Sequence, residues 1–197
     1  MSVVREYIEQ LARLNPDGGM GKINRWLLDN GRDWRYEDRA LPADVERGPF
    51  KNCYENAGIR VLDDGDADSE YRYVEGIAWC GVIPVQHAWL VDSEDRVVDP
   101  TWIHDGVCGF CLGDGEEDGD CDCDDPDGDC WGCDPERVTC RWCEGTGRDE
   151  ANADRDSSER EYFGVAIDAG DLRRHLIETG TWGCLTDPEW YVRLGVL

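Results

Sequence analysis

Long apolar runs are missing from this chain of 197 residues. No stretch approaches the roughly 18 consecutive apolar residues that a membrane span requires. The N-terminus, MSVVREYIEQLARL, carries charges at Arg5, Glu6 and Glu9, where a secretory signal would need an unbroken apolar segment. The expectation is therefore a soluble, cytoplasmic protein, in the host cytoplasm if the chain is viral. Basic residues are also scarce: 20 Lys and Arg stand against 45 Asp and Glu, for a net charge of −25. Such a surface repels nucleic-acid phosphates and anionic lipid, so neither is expected as a partner. Lysine is nearly absent, represented only by Lys22 and Lys51. Abundant Asp with little Lys suits a protein that stays hydrated in concentrated salt, which points to a halophilic microbe or its virus. A GC-rich genome combined with one acidic loop explains the same bias.

What is present is enough to fold. Apolar residues make up 40% of the chain and nine are Trp, sufficient for one full core and a small satellite module. Val4, Ile8, Leu11 and Leu14 recur at helical spacing over 3–14, and Asn15-Pro16-Asp17-Gly18-Gly19 stops that helix. A second helix is expected over 21–30, and residues 32–50 read as loop with at most one helical turn. From Asn52 to about Leu62 the pattern is helical again. Three β-like runs follow, Tyr71–Trp79, Ile83–Asp92 and Val97–Trp102, the last two joined by Ser93-Glu94-Asp95. Glu161–Ile167 reads as a fourth strand of the same sheet, with a helix over Asp171–Glu178 and an aromatic C-terminal tail after it.

Between Trp102 and Tyr162 the composition changes. Residues 114–129 hold ten acidic residues and no basic ones, and eight of the eleven cysteines lie between 108 and 143. A single sheet cannot absorb such a segment, so it reads as an insertion. The expected organisation is a core of residues 1–105 and 158–197, an insertion over 106–148, and an acidic linker over 149–157.

Three residues carry catalytic chemistry. Cys53 opens a helix after a Gly-Pro loop, in GPFKNCYENA, where helix-terminal N–H groups and partial positive charge favour a thiolate. His87, in IPVQHAWLVD, supplies a base on a strand, and Asp99, in DPTW on the next strand, can hold its tautomer and steady the imidazolium. Taken singly, Cys53 would more often be a buried helix cysteine, His87 a satisfied sheet histidine and Asp99 a turn residue.

Together the strings bring a family into view. HAWLVDSEDRVVDPTW resembles the segment of transglutaminase-like proteins in which HAW on one strand is followed by a strand ending in DPT. CYENAGIRVL and YRYVEGIAW are similar to that family's Cys-helix and its tyrosine-containing strand. The resemblance covers roughly 48–102 and, more weakly, 161–167. It implies an α+β fold, a papain-like core with N-terminal helices and a Cys-helix packed on an antiparallel sheet. It also implies a Cys53–His87–Asp99 triad. The family includes proteases, amidases, acyltransferases and crosslinking enzymes, so the first chemical step is better defined than the peptide or protein substrate. GPFKN has no counterpart, and the second oxyanion donor is left to Asn52 beside the backbone N–H of Cys53. The alternative is a catalytically inactive relative, a viral or microbial structural or interaction protein that uses the insertion as a docking module.

The insertion itself reads as metal-binding. Its cysteines fall in pairs: Cys108 and Cys111, Cys121 and Cys123, Cys130 and Cys133, and Cys140 and Cys143. A two-residue spacer lets both thiolates of a knuckle face one zinc. The glycines after Cys111 and Cys143 resemble a DnaJ-like zinc hairpin. That similarity pairs 108/111 with 140/143 and 121/123 with 130/133, for one or two structural zinc ions. Disulfides are disfavoured by the missing secretory signal, and DCDCDDPDGDC misplaces the glycine of an EF-hand and lacks its final Glu. No His is interleaved and eight cysteines leave no open coordination position, so the module is expected to be structural, or to recruit a protein partner.

Overall fold

The structure is a computed structural model and describes residues 2–63, 70–81, 83–102, 108, 114–118, 137–148 and 160–197. The chain divides into two compact units, Met1–Trp102 with Asp156–Leu197, and Ile103–Arg155.

The first unit is α+β. Helix α1 spans Val3–Leu14 and starts at Ser2, whose hydroxyl accepts from the Arg5 N–H at 3.2 Å. Its Val4, Ile8 and Ala12, one turn apart, are buried. Helix α2 spans Gly19–Asn30, two residues longer at its start than the periodicity suggests. The segment after it is not all loop: Arg32–Trp34 forms strand β1, antiparallel to the strand at 161–167. Three residues with one apolar side chain carry no periodic signal. What holds them is tertiary, since the Trp34 Nε1–H donates to the Gly164 carbonyl at 3.0 Å from a buried position.

Helix α3 (Cys53–Asp63) and strands β2 (Arg72–Trp79), β3 (Val85–Val91) and β4 (Val97–Val98) follow. The third strand is far shorter than Val97–Trp102, because the Asp99 carboxylate takes the next N–H groups out of the ladder. In the second unit, β5 (Glu116–Asp118) pairs antiparallel with β6 (Arg137–Thr139). Strand β7 (Glu161–Ile167) returns to the first sheet, whose order is β1-β7-β2-β3-β4, antiparallel throughout. Helix α4 (Ala169–Thr179), a 3-10 turn (Cys184–Thr186) and helix α5 (Pro188–Arg193) end the chain, giving the aromatic tail a helical form.

Period-two alternation sends the two faces of this sheet to different tasks. Tyr73, Ile77, Ala88, Leu90, Val98 and Phe163 form one cluster with the helices. Val74, Ala78, Trp89, Val91 and Tyr162 form a second cluster with Trp34, and Tyr36 and Trp102 pack against it. Gly76 and Gly164 are direct partners across β2 and β7. A Cβ on Gly164 would lie 2.8 Å from the Trp89 ring, so the bare backbone there is what lets that indole lie on the sheet. His87, two residues before Trp89, shares this second face.

Glu75 is the exception on the first face. Fully buried, it accepts from the backbone N–H groups of Cys184 at 2.8 Å and Leu185 at 2.7 Å. It thereby ties the C-terminal segment to the middle of the sheet. Two N–H groups at the start of a 3-10 turn have no partner within it, and the carboxylate supplies one for each.

Candidate active site

Cys53 is the first residue of α3, where the N–H groups of the first turn lack intrahelical acceptors. The loop before it is held from two sides. The Asn56 side-chain amide donates to the Pro49 carbonyl and to Thr101 Oγ1, each at 2.8 Å, and the Gly48 N–H donates to the Pro100 carbonyl at 3.0 Å. The GPFKN segment, opaque as a motif, is thus bound to the DPTW segment. Lys51, two residues before the sulfur, adopts φ 76°, a left-handed conformation that side-chain-bearing residues enter at some cost.

His87 presents Nε2 to Asp99 Oδ2 at 2.7 Å. The Cys53 side chain also favours the charged imidazole, as an acceptor for its N–H, so the cysteine is a neighbour of the ring. With Nε2 on Asp99, Nδ1 is the nitrogen left for the sulfur. The site is nearly closed: Cys53 is 8% exposed, Asp99 5% and His87 2%. Burial opposes a charge on His87, but the Asp99 charge and hydrogen bond overcome it, and with the Cys53 contact they bring the imidazole pKa up to about 9. Burial likewise opposes the Asp99 charge, while His87 and the N–H groups of Trp102 and Thr101 hold its pKa down at about 2. At neutral pH the pair is an imidazolium on a carboxylate.

Every acceptor position of Asp99 is used. Oδ1 accepts from the Thr101 and Trp102 N–H groups at 2.9 Å each, and Oδ2 accepts from His87 and from the Tyr162 hydroxyl at 2.9 Å. The Trp102 indole stacks on the imidazole, with ring centroids 4.0 Å apart and planes 14° from parallel. Sequence reasoning gave no site role to Tyr162, Asn56, Arg160 or Trp102. Strand alternation puts Tyr162 on the face of β7 opposite Phe163 and Ile167, and nothing in that pattern marked its role. Asn52, the oxyanion candidate, is exposed, and its amide nitrogen lies 3.4 Å from Glu55 Oε2.

The second unit brings three of the eight insertion cysteines together. The Sγ atoms of Cys108, Cys140 and Cys143, all buried, lie within 4.8 Å of one another, and those of Cys108 and Cys140 are 3.9 Å apart. The Cys108 and Cys140 sulfurs are well beyond S–S bonding distance. Sulfurs on a tetrahedral ion with bonds of about 2.3 Å would be about 3.8 Å apart, so the three fit one metal. The glycines after Cys143 serve the cluster directly. Gly145 and Gly147 take φ of 81° and 69°, the Gly147 N–H points to Cys143 Sγ at 3.3 Å, and its carbonyl accepts from the Cys108 N–H. Cys111, Cys121, Cys123, Cys130 and Cys133 lie outside the described residues, and so does His104. Cys184 is buried in the first core and Cys80 is half-buried. Among the described residues, no helix is long and apolar enough to cross a membrane.

Comparison with protein-family models, with curated proteins and with solved structures gives no match, so the chemistry rests on this geometry alone.

Proposed function

We propose that the protein is a cysteine-dependent hydrolase or acyltransferase acting on amide or isopeptide bonds of a peptide or protein. Its core is then a transglutaminase-like version of the papain-like fold. The observation that carries this reading is a buried imidazole bonded to a carboxylate, with a helix-opening cysteine near enough to favour its charge, on elements 34 and 12 residues apart in sequence.

In this reading the Cys53 sulfur attacks the carbonyl carbon, forming a C–S bond as the π pair moves to oxygen. The backbone N–H of Cys53 receives that oxyanion, and Asn52 is the proposed second donor once its amide leaves Glu55. As the C–N bond breaks, the His87 imidazolium gives its proton to the departing amine, leaving a thioester and a neutral imidazole. Water or a second amine then attacks the thioester, the imidazole takes the proton of that nucleophile, and Cys53 is released. Hydrolase and transferase differ only in that last nucleophile. Asp99 keeps Nε2 engaged so that Nδ1 faces the sulfur throughout. For the cysteine cluster we propose structural zinc, with Cys111 completing the set of Cys108, Cys140 and Cys143. Cys121, Cys123, Cys130 and Cys133 are proposed as a second set.

A broad peptide library incubated with the protein and read by mass spectrometry should yield cleaved, deamidated or crosslinked products. A Cys53→Ala variant should yield none. If both proteins leave the library unchanged, and iodoacetamide alkylates Cys53 at a rate indifferent to His87→Ala, the enzyme reading is lost.

A further inference from the structure

Arg160 is unusual for its setting. It is 6% exposed, and among the described residues no ion pair is made by its guanidinium. Its Nη1 donates to the Trp102 carbonyl, while Nε and Nη2 are buried without a hydrogen-bond acceptor among the described residues. The guanidinium carbon lies 4.8 Å from the centre of the Tyr36 ring, and Tyr36 in turn stacks on Tyr162 at 5.7 Å. A buried cation with so few hydrogen bonds is costly, and structures keep such a group where it serves a neighbour. Here the neighbours are the two residues that touch the proposed catalytic pair from outside. Trp102 covers His87 with its ring and gives its N–H to Asp99, and Tyr162 gives its hydroxyl to Asp99.

Resting on the thiol–imidazole reading above, we propose that Arg160 is a positioning residue of this site. It clasps Trp102 over His87 and biases the Asp99 carboxylate together with Tyr162. Its charge acts as well as its hydrogen bond. Burial weakens that charge, while Tyr162, Tyr36 and Asp99 all favour keeping it. The clasp also has a topological consequence. The chain leaves the first unit directly after Trp102 and re-enters it at Asp156, shortly before Arg160. One hydrogen bond therefore joins the two roots of the cysteine-rich insertion at the residues that flank the catalytic pair.

Among the described residues, the charged and titratable groups around His87 are Asp99 after β4, Cys53 on α3, Tyr162 on β7 and Arg160 just before it, with Tyr36 behind Tyr162. Removing the Arg160 cation takes a positive charge away from this group, so His87 should hold its proton to higher pH. The chain has three histidines, which makes the imidazole carbon-bound proton of His87 assignable by NMR against His87→Ala.

In Arg160→Met we expect the His87 titration to move up by about half a pH unit. We also expect the rate of Cys53 alkylation by iodoacetamide at pH 7, followed by peptide mapping, to fall about tenfold. Arg160→Lys, which keeps a cation and a donor, should stay within about threefold of the parent rate. A variant that melts earlier yet leaves both the titration and the alkylation rate unchanged has lost only packing, and overturns the proposal. Should Arg160→Met fail to fold, Tyr162→Phe removes a single hydroxyl from Asp99. An unmoved His87 titration in that variant overturns the proposal equally. Alkylation indifferent to His87→Ala in the parent background sinks the thiol–imidazole reading instead, and the NMR titration still judges the clasp.

Discussion

At the scale of single residues, the chemistry comes down to who owns the protons of a buried pair. His87, with its pKa raised to about 9, contributes stability that is complete below its ordinary value of about 6.5 and is lost as pH rises through 9. Asp99, lowered to about 2, contributes stability that is complete above about 3.9 and is lost as pH falls through 2. The two windows overlap between about pH 4 and 6.5. The melting-temperature gap between the parent protein and His87→Ala should be widest there and should narrow on both sides. Thermal melts at half-unit steps measure it, and a gap that is flat from pH 5 to 10 would mean that the pair is not charged. Cys53, His87 and Asp99 were legible in the sequence because each sits in a short string with a recognisable neighbour. Tyr162, Arg160 and Asn56 were not, because their roles consist of contacts with residues 45 to 63 positions away.

At the scale of elements, the ends of strands and helices show what competes with propensity. Strand β4 stops at Val98 because a side chain, Asp99 Oδ1, outbids the neighbouring strand for the N–H groups of Thr101 and Trp102. Strand β1 exists because Trp34 finds a carbonyl on β7. The helices α1, α3 and α4 were readable nearly to their boundaries, since a buried stripe at helical spacing is written locally. The C-terminal segment depends on a single residue of another element. Replacing Glu75 with Ala would leave the Cys184 and Leu185 N–H groups buried and unpaired, at a cost of about 3 kcal/mol. For a chain of this size the melting temperature should drop by roughly 6–12 °C, measured by calorimetry. A loss within 2 °C or so would mean that water or a shift of the 3-10 turn replaces the carboxylate.

At the scale of the whole molecule, two units use different sources of stability. The first buries two apolar clusters on the faces of one sheet. The buried cluster described for the second consists of cysteines, Cys108, Cys140 and Cys143. A polar segment with so little apolar surface gains its folding free energy from metal–thiolate bonds in the reading proposed here. Protein purified under reducing conditions should carry zinc by native mass spectrometry, and Cys140→Ser should lose one equivalent. Chelation should raise hydrogen exchange within 103–155, while the His87 resonance stays in place. Metal-free protein with unchanged exchange in that segment would remove the metal from the account.

The sequence by itself determined the acidic surface, the helical stripes, the break in composition after Trp102 and the three residues offered for catalysis. All of these are properties of composition or of short strings. Only the tertiary structure decided that His87 meets Asp99 with Cys53 near enough to favour the imidazole's charge, that Asp99 is saturated by four donors, and that Arg160 stands behind them. The reason is physical: distance and burial set a proton affinity or the strength of a hydrogen bond, and both arise only when distant strands pair and exclude water.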